Sequence, residues 1–76
     1  PSVLIVDSSD ENREVLRTVL SRRGLRTIEA DQAERGLELA RIHRPDVIVL
    51  DIMLPGMDGI ELLARLRRES RVYVIC

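Results

Sequence analysis

The chain has 76 residues, enough for one small domain, and its 45% apolar and 33% charged residues are typical of a globular protein. Its 12 basic and 13 acidic side chains give a net charge of −1, without the basic excess of a nucleic-acid-binding segment. A single cysteine excludes an internal disulfide, and no apolar stretch nears the roughly 20 residues of a membrane span. We therefore expect no direct nucleic-acid binding, no membrane insertion and a reducing, cytoplasmic location.

The first third of the chain predicts a strand followed by a helix. The apolar run at 2–6 is typical of a strand buried on both faces. Ser8 and Glu11 fit a capping box at the start of the helix, and Gly24 supplies the left-handed residue that ends it. The helix is expected to pack on a sheet through an apolar stripe at helical spacing, formed by Val15, Leu16, Val19 and Leu20.

A second strand and helix follow in the middle of the chain. Residues 25–30 are short and partly polar, which predicts an edge strand. Asp31 and Glu34 fit a second capping box, and Pro45 marks the end of that helix. Its predicted inner stripe consists of Ala33, Leu37 and Ala40.

The last third predicts a buried strand, a loop, a third helix and a fourth strand. The third strand ends at Leu50, and the fourth begins near Val72. Asp58 is expected to cap the third helix with Glu61 as its partner, and the inner stripe of that helix is Ile60, Leu63 and Leu66. Right-handed crossovers give a parallel sheet of order 2-1-3-4, which predicts an α/β, flavodoxin-like three-layer sandwich.

Two carboxylates follow strands that this order makes neighbours. Asp7 comes directly after the first strand and Asp51 directly after the third, at the switch point where open α/β sheets bind ligands. Two such acids repel each other unless a cation lies between them, and oxygen ligands with phosphate suit Mg²⁺. An aspartate can also attack a phosphoryl group as a nucleophile. The alternative is that both residues only cap strand ends.

The segments Val3–Asp7 and Val47–Gly59 resemble the receiver domain of two-component response regulators. The second segment carries the pattern Asp-x-x-x-Pro-x-x-Asp-Gly, beginning at Asp51. The resemblance implies that a histidine kinase or a phosphotransfer protein phosphorylates Asp51. It also implies that Mg²⁺ is held by Asp7, Asp51 and the backbone carbonyl of Met53, and that Pro55 and Gly59 shape the loop. Such domains are signalling modules rather than enzymes.

The chain departs from the family pattern in two ways. Ser8 replaces the second acid of the family, so it is a weak or absent ligand and weak Mg²⁺ binding is expected. The chain corresponds to the N-terminal two-thirds of the domain, so residues 1–76 are expected to form a receiver that is C-terminally incomplete, without the last helix, strand and helix. An uncovered fourth strand would then allow a homodimer or an exchange of elements.

Two other function classes are alternatives, of which the second is disfavoured by the sequence. One is a degenerate receiver that acts as a phosphorylation-independent interaction or dimerisation module, which Ser8 favours. The other is a phosphatase or phosphotransferase with an aspartyl nucleophile. That class usually has an acid two residues after the nucleophile, where this chain has Met53.

Overall fold

Four short strands form one parallel sheet in the computed structural model of the chain, which describes residues 1–54 and 59–76. They are β1 (Ser2–Val6), β2 (Arg26–Ala30), β3 (Val47–Leu50) and β4 (Tyr73–Ile75). The strand order is β2-β1-β3-β4, which confirms the predicted order and the edge position of β2. β1 is completely buried because it pairs on both sides and is covered on both faces.

Three helices connect the strands and make the predicted three-layer arrangement. They are α1 (Asp10–Arg22), α2 (Ala33–His43) and α3 (Gly59–Glu69). The connection through α1 moves along the sheet in one direction, and the connections through α2 and α3 move in the opposite direction. Because all three crossovers are right-handed, α1 covers one face of the sheet, and α2 and α3 cover the opposite face. In the described part of the chain, no helix is long and apolar enough to cross a bilayer.

The main core lies between the sheet and the pair α2–α3. Its strand members alternate along β1 and β3, as expected for side chains that share one face. α2 approaches β1 so closely that a Cβ atom on Gly36 would lie 2.9 Å from a methyl carbon of Val6. The buried side chains of this core are Leu4, Val6, Ala30, Ala33, Leu37, Leu39, Ile48, Leu50, Leu54, Leu62 and Leu66.

The α1 layer is packed far less completely than predicted. α1 contacts β1 and β2, but none of its residues is buried. Leu16 and Leu20 are half-buried, whereas Val15 and Val19 are 58% and 48% exposed. Val15 and Val19, which are half of the predicted stripe, are therefore exposed to solvent in the described part of the chain.

The start of α1 differs from the prediction by one residue. The cap is Ser9 and not Ser8, and its hydroxyl accepts a hydrogen bond from the Asn12 amide at 3.1 Å. The reason is the carboxylate of Asp7, which accepts the Ser9 amide at 2.8 Å and makes Ser8 the middle of a turn. The predicted capping box between Ser8 and Glu11 was therefore wrong.

The end of α1 follows the prediction. Gly24 has a φ of 80°, and its amide donates to the carbonyl of Ser21 at 3.0 Å. The Leu25 amide donates to the carbonyl of Leu20 at 3.1 Å. These two bonds form a Schellman motif, in which a glycine in the left-handed region satisfies the last carbonyls of a helix.

One further local prediction was wrong, and another was correct for Leu63 and Leu66 but wrong for Ile60. α2 is capped at Gln32 without a side-chain hydrogen bond, rather than at Asp31, because the helix begins where Ala33 enters the core. In α3 the buried positions are Gly59, Leu62 and Leu66, whereas Ile60 is 67% exposed. The contact of α3 with the sheet turns the helix so that Leu62 occupies the place predicted for Ile60.

Candidate functional site

Asp7 and Asp51 lie side by side at the C-terminal edge of the sheet, where β1 and β3 end. Val6 and Leu50 are partners in the register of these strands. The Asp51 amide donates to the carbonyl of Val6 at 2.8 Å, so the backbone of Asp51 adjoins the residue that precedes Asp7. The structure therefore brings the two predicted carboxylates to one crevice, at the switch point of the sheet.

The carboxylate of Asp51 is oriented by its own turn. Its Oδ1 atom accepts a hydrogen bond from the Met53 amide at 2.9 Å, a turn in which an aspartate bonds two residues ahead. Asp51 is half-buried and Met53 is 81% exposed, so solvent reaches this turn. Among the described residues no donor is recorded for Oδ2, which leaves that oxygen available to a reactant.

The carboxylate of Asp7 already has two donors. Oδ1 accepts from the Ser9 amide at 2.8 Å, and Oδ2 accepts from the side-chain amide of Asn12 at a longer 3.4 Å. Asn12 was not predicted as a site residue, because its role depends on the first turn of α1 folding back toward the strand end. Ser8 is exposed in the turn between them. A carboxylate has about four lone-pair positions, so Asp7 retains capacity for a cation.

Arg13 is a second residue that sequence reasoning missed. Its guanidinium donates to the backbone carbonyl of Asp7 at 2.6 Å and also pairs with Asp10 and Glu29. Only 13% of the side chain is exposed. Glu29 also accepts from Arg17 at 2.8 Å, and this hydrogen bond raises the pKa of Arg17. These contacts hold the end of β1 against α1 and β2 without using the Asp7 carboxylate.

Gly59 fits tightly against the segment that follows Asp51. Its amide donates to the carbonyl of Ile52 at 3.2 Å. A Cβ atom on Gly59 would lie 2.2 Å from the Cα of Ile52 and 2.8 Å from the carbonyl oxygen of Asp51. The start of α3 can therefore take this position only without a side chain. The other predicted loop residues, Pro55 and Asp58, lie outside the described residues.

The donor set fits a hard cation held by few protein ligands. The described residues contain no group of three or more His, Cys, Asp or Glu that could hold a metal. Asp7 and Asp51 supply two carboxylates, and the exposed turn contains the carbonyl of Met53. Mg²⁺ takes one or two carboxylates and keeps several waters, so this sparse oxygen set suits it better than it suits Zn²⁺ or Ca²⁺.

The sequence matches a known protein family over nearly its whole length. The model of the response regulator receiver domain matches residues 3–76. The chain is 45% identical over 75 residues to the transcriptional regulatory protein AfsQ1 of Streptomyces coelicolor, covering 99% of this chain and 33% of AfsQ1. It is 46% identical over 74 residues to the KDP operon transcriptional regulatory protein KdpE of Escherichia coli, covering 97% and 33%. The chain thus spans about a third of the length of these relatives.

Solved structures show the same fold. The N-terminal domain of a response regulator receiver protein from Methanoculleus marisnigri matches with a TM-score of 0.93 and 37% identity, covering 96% of this chain and 62% of that one. The BeF3-activated receiver domain of RstA from Klebsiella pneumoniae matches with a TM-score of 0.93 and 26% identity, covering 97% and 63%. The four strands and three helices of this chain correspond to under two-thirds of each of these chains.

Proposed function

The chain belongs to the response regulator receiver domain family, and we propose that Asp51 accepts a phosphoryl group from a histidine kinase or a phosphotransfer protein. The observation that carries this proposal is the geometry of Asp51. Its carboxylate ends a buried strand, is oriented by the Met53 amide and stays open to solvent beside Asp7. A residue that only capped a strand end would need neither the second acid nor the open Oδ2 atom.

The transfer itself is a substitution at phosphorus. A lone pair on Oδ2 of Asp51 forms the new P–O bond while the P–N bond to the imidazole of the donor breaks, and the released imidazole takes up a proton. The Met53 amide holds Oδ1 throughout, so the attacking oxygen does not need to be reoriented. The product is an aspartyl phosphate, which adds negative charge beside Asp7.

Asp7, Asp51 and the Met53 carbonyl would hold Mg²⁺, with Ser8 contributing weakly or not at all. The cation would offset the charge on the phosphoryl oxygens and the repulsion between the two carboxylates. Asp7 would keep its bond from the Ser9 amide and give up the longer one from Asn12, because the latter is the weaker of the two. The missing acid at position 8 would make this binding weak.

The domain would act as a cytoplasmic signalling module rather than as an enzyme. Phosphorylation would shift a two-state equilibrium that other parts of the protein read. The relatives named above are transcriptional regulatory proteins, so control of transcription is the output we propose, carried by segments outside this chain. β4 is an edge strand of the described sheet, and it offers a surface for pairing with a second copy.

The decisive experiment is the intact mass of the chain before and after treatment with acetyl phosphate and Mg²⁺. The expected result is a gain of one phosphoryl group, which hydroxylamine removes because an acyl phosphate is labile to it. Asp51→Asn is the matched control and should gain nothing. A gain that persists in Asp51→Asn would place the acceptor elsewhere. No gain, either here or in a version extended past Cys76, would favour the phosphorylation-independent interaction module.

A further inference from the structure

The fold gathers unpaired positive charge at the edge of the sheet opposite Asp51. Helices in this fold run back from the C-terminal edge and end where the next strand begins, so all three helix ends lie at the N-terminal edge. Seven exposed arginines lie there, and we call them the basic edge: Arg22, Arg23, Arg26, Arg44, Arg67, Arg68 and Arg71. We propose that the basic edge binds the phosphate backbone of duplex nucleic acid, contrary to the expectation drawn from the net charge of the sequence.

The pairing of the other arginines makes this edge distinctive. Four arginines away from it each form an ion pair with an acid, namely Arg13 with Asp10, Arg17 with Glu29, Arg35 with Glu38 and Arg65 with Glu61. In the described ranges, no acid forms an ion pair with any of the seven arginines of the basic edge. The positive charge there is therefore not neutralised within the chain.

The acids nearest to the basic edge are already engaged. The Asp46 carboxylate accepts the backbone amide of Ser2 at 2.8 Å. Glu69 accepts two hydrogen bonds from Arg41, at 2.7 and 2.6 Å, and so neutralises an arginine that is not part of the basic edge. The net charge of −1 for the whole chain does not describe how charge is distributed over its surface.

Helix stabilisation explains only part of the pattern. A cation in the last turn or at the C-cap of a helix interacts favourably with the helix dipole, which accounts for Arg22, Arg23, Arg44, Arg67 and Arg68. Arg26 lies in β2, however, and Arg71 lies between α3 and β4, where no helix end requires a charge. Like charges held on one surface repel each other, so a polyanion that binds there gains from all of them together.

The chemistry and shape of the basic edge favour nucleic acid over a membrane. Guanidinium groups bind phosphate through two parallel hydrogen bonds, and every basic residue of this chain is arginine. The edge is not flat, because a cleft of about 560 Å³ opens beside Arg44 and another of about 430 Å³ beside Arg26. Ridges and clefts match a grooved polymer better than the plane of a bilayer. This inference does not rest on phosphorylation of Asp51.

Fluorescence anisotropy with a labelled duplex of arbitrary sequence tests the proposal. We expect the chain to bind it with a dissociation constant of about 10⁻⁴–10⁻⁶ M that weakens steeply with salt. Arg44→Asn and Arg68→Gln should each lower the slope of log K against log salt by about 0.9. Asparagine suits position 44 because Arg44 has a φ of 46°, in the left-handed region that asparagine tolerates.

Arg35→Gln is the matched control, because Arg35 is also exposed, on α2, but is paired with Glu38. It should leave both affinity and slope unchanged, with thermal melting to confirm that every variant folds. The proposal is overturned by absence of binding at low salt, or by equal slopes for all variants. Tighter binding to vesicles of anionic phospholipid than to the duplex would assign the edge to a membrane surface instead. Light scattering that showed head-to-tail association of the free chain would assign it to a second copy.

Discussion

The glycine at the start of α3 allows a quantitative prediction for the variant Gly59→Ala. The added Cβ atom would lie 2.2 Å from the Cα of Ile52, about 1.2 Å short of the 3.4 Å at which ordinary contact begins. The obstructing atoms belong to the backbone, so a change of rotamer cannot relieve the clash. Overpacking of this kind costs about 1–3 kcal/mol, and the better helix propensity of alanine returns at most about 1 kcal/mol. We expect a net loss of about 1–2 kcal/mol.

The same variant should also impair the site. The second close contact of the added atom, at 2.8 Å, is with the carbonyl oxygen of Asp51. Any shift that relieves the clash therefore moves the segment that orients the acceptor carboxylate. Urea unfolding followed by circular dichroism measures the stability, and intact mass after acetyl phosphate treatment measures the rate of phosphorylation.

Gly36→Ala is the comparison for this prediction. Its added atom would contact methyl groups of Val6, at 2.9 and 3.0 Å, rather than backbone. We expect a smaller loss of stability and a smaller effect on phosphorylation, because the atoms that must yield belong to the side chain of Val6 and not to the backbone of the acceptor segment. If Gly59→Ala were as stable as the parent chain within about 0.5 kcal/mol and phosphorylated at the same rate, the close packing of α3 on the acceptor segment would be refuted.

Three other predictions concern caps, metal and pH. Ser9→Ala should lower the free energy of unfolding by about 1 kcal/mol through loss of the α1 cap, and Ser8→Ala should not; equal urea midpoints would contradict the cap assignment. Ser8→Asp should tighten Mg²⁺ binding by about 1–3 kcal/mol in a calorimetric titration, and equal affinities would remove the idea of a missing ligand. The hydrogen bonds from Arg41 lower the pKa of Glu69. The pair therefore contributes its full stability above the ordinary carboxyl pKa of about 4.3, and this contribution is lost as the pH falls through the lowered pKa of Glu69. The stability difference between the parent chain and Glu69→Gln should therefore shrink as the pH falls below the ordinary carboxyl pKa of about 4.3; a difference independent of pH would refute the role of this pair.

Much of the fold followed from patterns that extend over several residues. The apolar runs of β1 and β3 predicted buried strands, and the alternation of strand and helix predicted the sheet order through the handedness of its crossovers. The edge position of β2 followed from its polar residues. Because both Asp7 and Asp51 directly follow such runs, their meeting at one edge was also predictable.

Local details were not predictable where two neighbouring residues suited the same position equally well. Ser8 and Ser9 are equally good caps by composition, and the choice between them was made by Asp7, whose carboxylate takes the Ser9 amide. Ile60 and Leu62 are both apolar, and only the angle at which α3 meets the sheet decides that Leu62 is buried. Asn12 lies close to Asp7 only because the turn before α1 folds the first turn of that helix back toward the end of β1.

The sequence by itself determined the order of elements and the placement of two acids at strand ends, because hydrophobic period and chain direction are local properties. Only the tertiary structure decided how charge is distributed. Arg41 pairs with Glu69 across 28 positions of the chain, and Asp46 binds the Ser2 amide across 44. Such pairs depend on distances in space, and they leave one edge of a chain with a net charge of −1 lined by unpaired arginines.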